Sequence, residues 1–240
     1  MKAMILAAGL GKRMQPLTNT IPKPLLEVGG KYLIEFHLEK LAAAGIRDVV
    51  INTHWLAEQI PQALGSGEKW GLNIHYSHEP ELLETAGGIR QALEYLIDDS
   101  LLDNSLADDS SEIFLLINGD VYFEWELSAW LDKSKTALKE YQAFLALVPN
   151  PPHHLNGDFT CSKASHLLGL NQNSSQDTYT YAGLGVFRAS FFADLDPGYR
   201  ALGPLLKQAM ANELIVGQVE NAYWLDVGTP ERLEELIARS

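Results

Sequence analysis

Lys2-Ala3-Met4-Ile5-Leu6-Ala7-Ala8-Gly9-Leu10-Gly11-Lys12-Arg13-Met14 is followed, after Gln15-Pro16-Leu17-Thr18, by Pro22-Lys23-Pro24-Leu25-Leu26. The apolar run Lys2–Leu6 has the length of a buried strand, and it feeds a glycine-rich turn. Gly9 and Gly11 let backbone N–H groups approach an anion, and Lys12 and Arg13 add charge. Prolines on both sides of Lys23 fix the local backbone and so fix the place of its ammonium. The pattern is that of a polyphosphate cradle. A dinucleotide-binding loop would need glycine where Met14 stands and an acidic residue about twenty positions on, after a βαβ unit. Glu27 is near that distance, but no such unit intervenes. A Walker A loop would need Ser or Thr after its lysine, and Arg13 follows Lys12. The plainer alternative for Gly9-Leu10-Gly11 alone is a turn with solvated charges.

Outward from this segment, strand-like runs alternate with helical patterns. Helices are expected at 32–44, 56–64, 88–97 and 203–211 and after Pro230, and strands at 48–52, 72–76, 113–117 and 214–219. The stretch 113–117 is unbrokenly apolar, as in a central parallel strand covered on both faces. A hairpin-like region spans 141–187, with turn signals at 149–152 and 171–175. The Asp- and Ser-rich stretch 98–112 is expected to be a solvated surface insertion. This alternation predicts a single α/β domain with a doubly wound sheet.

Composition narrows the function. Hydrophobic residues make up 46% of the 240 residues, a globular composition. A net charge of −13 disfavours nucleic acid and anionic membrane as partners. An acidic chain that binds anionic nucleotides must do so through a local cation cluster and a metal, and Lys12, Arg13 and Lys23 form such a cluster. Cys161 is the only cysteine and cannot form an internal disulfide. No apolar stretch reaches membrane-span length, and the run after Lys2 is cut short by Gly11-Lys12-Arg13, unlike a signal peptide. A cytoplasmic location is expected.

Two aspartates stand at strand ends. Asp120 lies in Asn118-Gly119-Asp120, directly after the apolar run 113–117, and Asp226 lies in Trp224-Leu225-Asp226-Val227-Gly228-Thr229-Pro230. Ligands of open α/β sheets gather at the carboxyl ends of strands. Asp at such a place is equally a turn or cap residue, and Thr229-Pro230 reads as a helix start. Glu84-Thr85-Ala86-Gly87-Gly88 has a similar double reading, with Thr85 as a plain helix cap. The adjacent His153 and His154 do not share a face in regular structure and give no zinc site, and no nucleophile elbow is present.

The string LAAGLGKRMQPLT…PKPLL, with NGD at 118–120 and the motif around Asp226, resembles the sugar-1-phosphate nucleotidyltransferases along essentially the whole chain. Within them it is most similar to the bacterial N-acetylmuramate-1-phosphate uridylyltransferases of cell-wall recycling. The resemblance implies a Rossmann-like, doubly wound mixed sheet of the GT-A-like type over residues 1–240. Residues 1–120 would be mainly nucleotide-binding and 121–240 mainly sugar-binding. No hexapeptide repeat follows, so the β-helix domain of many relatives is not expected. The resemblance also implies UTP and a sugar 1-phosphate as substrates and Mg²⁺ as cofactor, held by Asp120 and Asp226. Nucleotide contacts would come from Ala8, Gly9, Gly11, Lys12, Arg13, Lys23 and Gly88, with Arg13 and Lys23 catalytic. Glu84, Asn118, Gly157, Tyr181 and Gly183 would bind the sugar substrate. The alternatives are a guanylyl-, thymidylyl- or cytidylyltransferase acting on another sugar phosphate, such as mannose or glucose 1-phosphate, or a silent nucleotide-sugar-sensing subunit. The presence of Lys23, Asp120 and Asp226 speaks against the silent subunit. A phosphate monoester is largely dianionic at neutral pH, since its second pKa is about 6, and needs no general base.

Overall fold

The computed structural model describes residues 1–97, 113–171 and 177–240. The acidic segment 98–112 and most of the 171–175 turn therefore lie outside the described residues. The strands are β1 (Lys2–Leu6), β2 (Glu27–Val28), β3 (Lys31–Tyr32), β4 (Asp48–Thr53), β5 (Asn73–His78), β6 (Ile113–Asn118), β7 (Val121–Phe123), β8 (Ala143–Val148), β9 (Phe159–Cys161), β10 (Leu168–Leu170), β11 (Thr178–Arg188), β12 (Ile215–Val219) and β13 (Trp224–Asp226). The helices are α1 (Leu33–Ala43), α2 (Gln59–Leu64), α3 (Glu84–Leu96), α4 (Leu127–Ala137), α5 (Ser190–Ala193), α6 (Leu202–Ala211) and α7 (Pro230–Arg239).

The main sheet is mixed. β5, β4, β1 and β6 run parallel side by side. β11 joins β6 antiparallel, β8 joins β11 antiparallel, and β12 closes the row parallel to β8. From β1 the chain passes to β4 on one side, while β6 lies on the other, so the strand order reverses there and opens a crevice at the carboxyl ends of β1 and β6. Side chains alternate between two layers, as the period of a strand dictates. Ala3, Ile5, Leu115 and Ile117 face a core with α1 and α4, whereas Met4, Phe114 and Leu116 face a core with α3 and α6. A third, smaller cluster joins Met14, Leu26, Val28 and Leu33 to Leu225, Val227, Leu233 and Leu236. Met14 is fully buried there, which explains an apolar side chain where a dinucleotide loop has glycine.

Two helix starts differ from the sequence expectation. α2 begins at Gln59 rather than 56, and Leu56, at φ +50, stands in a left-handed turn ahead of it. α3 begins at Glu84, before the expected 88, and Thr85 does not cap it. The carbonyl of Arg200 accepts the N–H groups of Ala86 and Gly87 at 3.0 and 3.1 Å, supplying from far along the chain the partners a cap would supply. Thr229 does precede α7, with Pro230 at its first position.

Candidate active site

A cavity of about 460 Å³ opens at the crevice between β1 and β6. Its walls include Ala8, Gly9, Gly11, Lys12, Arg13, Lys23, Glu84, Asn118 and Asp120. Gly11 has φ +61, and a β-carbon there would meet Thr18 Cγ2 at 2.8 Å. Thr18, itself buried, donates its hydroxyl to the Gly11 carbonyl at 2.8 Å, and Trp55 Nε1 donates to the Thr18 carbonyl at 2.9 Å. The Gly9–Gly11 loop is thereby held by Thr18, while no atom lies within 4 Å of a β-carbon at Gly9, which faces open space.

Lys23 Nζ donates to Asp120 Oδ2 at 2.5 Å, with the Lys23 side chain nearly buried. Burial pushes the Asp120 carboxyl up, but the Lys23 ammonium, helped by Arg13, outweighs it and holds the group below the usual carboxylate range. Asp120 is therefore ionised at neutral pH.

Asp226 reaches the same region through the ribbon of β7 and β13. It pairs with Val121, and Val227 N–H donates to the Asp120 carbonyl at 2.7 Å. The Asp226 side chain is not on the cavity wall, but Gly228 is. Two carboxylates of hard oxygen donors suit a hard divalent cation that takes its other ligands from water and phosphate. Among the described residues no three His, Cys, Asp or Glu side chains group to hold a metal by themselves. The residues present fit an ion shared with a polyphosphate ligand.

Sequence reasoning missed the pair on the opposite wall. Asn52, at the end of β4, is 3% exposed and Glu79, after β5, only 1%. Asn52 Oδ1 accepts from Ala7 N–H at 2.7 Å, and its Nδ2 donates to Glu79 Oε1 at 2.7 Å. Glu79 Oε2 accepts from Leu83 N–H at 3.0 Å. The signal available was faint: a polar residue ending the run Val49-Val50-Ile51. Gly88 does not line the cavity. A β-carbon there would meet Asn52 Nδ2 at 3.0 Å, so its bareness seats this pair.

Glu84 lines the cavity at φ +62, a left-handed conformation that an L side chain adopts at a cost of about 1–2 kcal/mol. Tyr199 donates its hydroxyl to Glu84 Oε1 at 3.3 Å. Gly157, Tyr181 and Gly183 lie off the cavity wall. Gly183, at φ +76 within an irregularity of the β11–β8 pairing, packs against Asn118, and a β-carbon would come within 2.8 Å of its Nδ2. Gly157 turns at φ +62 against Asn150. Tyr181 packs in the second core with a buried, unpartnered hydroxyl.

A family profile described as nucleotidyl transferase matches residues 2–239. The chain belongs to the nucleotidyl transferase family. An N-acetylmuramate alpha-1-phosphate uridylyltransferase of Neisseria meningitidis serogroup B is 43% identical, over 99% of this chain and 97% of that protein. One of Caulobacter vibrioides is 31% identical over 95% and 92%. A mannose-1-phosphate guanyltransferase of Gibberella zeae is 30% identical, with 62% of its length matched. Among solved structures, HddC of Yersinia pseudotuberculosis in complex with GMP-PN has the same fold, with a TM-score of 0.76 at 19% identity over 99% of this chain and 98% of that one. This nucleotidyl transferase thus shares its fold with that solved structure, and no described helix is long and apolar enough to cross a membrane.

Proposed function

We propose that the chain transfers UMP from UTP to N-acetylmuramate 1-phosphate, giving UDP-N-acetylmuramate and pyrophosphate, in the cytoplasm and with Mg²⁺. The observation that carries the reaction type is the Lys23–Asp120 pair, 2.5 Å apart at the mouth of the Gly9–Gly11 loop. The full-length likeness to two uridylyltransferases supports the choice of substrates.

The sugar phosphate is already a nucleophile, so the protein's task is alignment and charge neutralisation. Backbone N–H groups of the loop after β1 would hold the β- and γ-phosphates, with Lys12 and Arg13 facing them. Lys23 would meet charge developing on the transferring phosphoryl group. Asp120 and Asp226 would hold Mg²⁺, which supplies further neutralisation of the triphosphate when bound. Asn118, Glu84 and the 121–240 half would place the sugar, and residues 1–120 mainly the nucleotide. The muramyl sugar differs from N-acetylglucosamine by a lactyl ether, and His153, His154, Asn156 and Lys163 on the sugar side could meet its carboxylate. Of these, His153 is engaged by Asp226, His154 by Asp158 and Lys163 by Asp177, whereas Asn156 uses only its backbone carbonyl, to Asn171, and keeps its side-chain amide for a ligand.

Pyrophosphate release, measured with each nucleoside triphosphate against a panel of sugar 1-phosphates, tests the assignment. The expected result is UTP preferred, and N-acetylmuramate 1-phosphate at least about tenfold above N-acetylglucosamine 1-phosphate in kcat/KM, since a site built for a polar group rejects the analogue lacking it. A preference for GTP with mannose 1-phosphate would replace the muramyl assignment with the guanylyl one.

A further inference from the structure

The two carboxylates assigned to the metal are each matched by one cation, but in different ways. Asp120 meets Lys23, a cavity residue. Asp226 meets Arg232 from α7, whose NH1 donates to Oδ1 at 2.5 Å and whose side chain is only 13% exposed. His153 Nε2 lies 2.9 Å from the same Oδ1 and 2.6 Å from Arg232 NH1. Both grips are anchored independently. Leu233 and Leu236 fasten α7 into the third core cluster. The loop bearing His153 is braced by Asn150, whose amide donates to the carbonyls of Leu155 and Thr178 and whose Oδ1 accepts from Thr180.

The other oxygen of Asp226 has no hydrogen-bond partner among the described residues. It points to the Gly228 side, since a β-carbon on Gly228 would come to 3.2 Å from Oδ2. Gly228 is a wall of the cavity. The same β-carbon would collide with the Arg232 guanidinium. So one carboxylate oxygen is committed to the protein, and the other lies beside Gly228, a residue of the cavity wall that carries no side chain.

We infer that Arg232, braced by His153, is a positioning residue that holds Asp226 through Oδ1 and so presents Oδ2 alone to the divalent cation. This rests on the metal role given to Asp226 above. The arrangement makes Asp226 a one-oxygen ligand of fixed direction and removes the side-chain freedom that metal binding would otherwise have to freeze. Partners of this kind are worth roughly tenfold to a hundredfold in metal affinity.

Mn²⁺ titration of the full chain without nucleotide, followed by loss of the free-ion EPR signal, tests it. Arg232→Gln is expected to weaken Mn²⁺ binding by about tenfold or more, with a smaller loss for His153→Ala. Arg232→Lys should recover only part of the affinity, because an ammonium cannot reproduce the fixed fork of the guanidinium. Arg232→Gln added to Asp226→Asn should cost nothing beyond Asp226→Asn alone, since both act through one carboxylate. Wild-type or tighter Mn²⁺ binding in Arg232→Gln, with Asp226→Asn weakened, would overturn the inference and leave the metal assignment standing. Wild-type binding in Asp226→Asn would overturn the metal assignment itself. Should Arg232→Gln fail to fold by circular dichroism, Arg232→Lys and His153→Ala decide the matter, and wild-type affinity in both overturns the inference.

Discussion

From Ala8 to Lys23 the rim of the cavity is one stretch of chain, shaped by its own turns and by the hydroxyl of Thr18 against Gly11. The facing wall has no such continuity: Asn52 reaches Glu79 across 27 positions, and Arg200 satisfies the first N–H groups of α3 from more than a hundred positions away. The first region ties Thr18 and Lys23 to its neighbours but leaves Lys12 and Arg13 lining the cavity. The second spends its polar groups on the protein itself. Function and stability are therefore expected to separate along this line, and substitutions on the two sides should fail in different assays.

The largest effect belongs to the rim. Lys23→Ala is expected to lower kcat by two to four orders of magnitude, roughly 3–5 kcal/mol, with a smaller change in the KM for UTP. Asp120→Asn should lose most turnover as well, and the double variant little more than either single one, because the two side chains share one 2.5 Å contact. Chemical denaturation should show for both single variants a loss of stability smaller than the loss in turnover, since Lys23→Ala strands the Asp120 carboxylate and Asp120→Asn strands the ammonium. A change confined to KM would mean that Lys23 binds ground state and transition state alike.

The wall should show the reverse. Asn52→Ala leaves the Ala7 N–H and a Glu79 oxygen without partners in a buried place, at a cost of about 1–3 kcal/mol for each stranded group. Urea denaturation is expected to reveal that loss. An unchanged midpoint would mean that water replaces the amide.

A third measurement uses His37, which lies behind Asp120 on α1, stacks on Phe123 and has neither ring nitrogen hydrogen-bonded. Burial lowers its pKa from 6.5 to about 4, partly opposed by Asp120. The unfolded chain takes up this proton first, so stability is complete above about pH 6.5 and declines as pH falls towards 4, by about 3 kcal/mol in all. The Asp120 carboxylate, held below its usual range, contributes a separate loss at still lower pH. His37→Phe should flatten the first decline only. Denaturation curves between pH 7 and 4 check this, and an unchanged slope in the variant would refute it.

The smallest effect crosses the line between the two regions. Glu84→Gly should raise stability by about 1 kcal/mol, since glycine accepts φ +62 without penalty. The same variant should lower kcat/KM for the sugar phosphate. Thermal unfolding and steady-state rates together decide it, and a stabilised variant with full activity would show that the Glu84 side chain is idle.

The contrast between rim and wall also marks what the sequence could disclose. A continuous rim leaves a continuous trace, so Gly9, Gly11, Lys12, Arg13 and Lys23 stood out from the first strand onward, and Asp120 stood out because it ends an apolar run. Elements with strong periodicity, such as α1 and β6, emerged within a residue or two. The wall depends on pairings that leave no local pattern. Nothing around Glu79 announces a buried carboxylate, and the early start of α3 depends on the carbonyl of Arg200. Leu56 likewise stands ahead of α2 in a left-handed turn that its side chain does not signal.

The burial of Met14 among Leu225, Val227, Leu233 and Leu236 has a consequence for synthesis. Translation makes the Gly9–Gly11 loop first, but the later half of the apolar surface that seats it does not exist until the ribosome has passed Leu236. Until then Met14 has only Leu26, Val28 and Leu33 to pack against, and the loop carrying Lys12 and Arg13 has half of its anchor. A nascent chain with its first six strands already paired would therefore still lack half of the core beneath this loop.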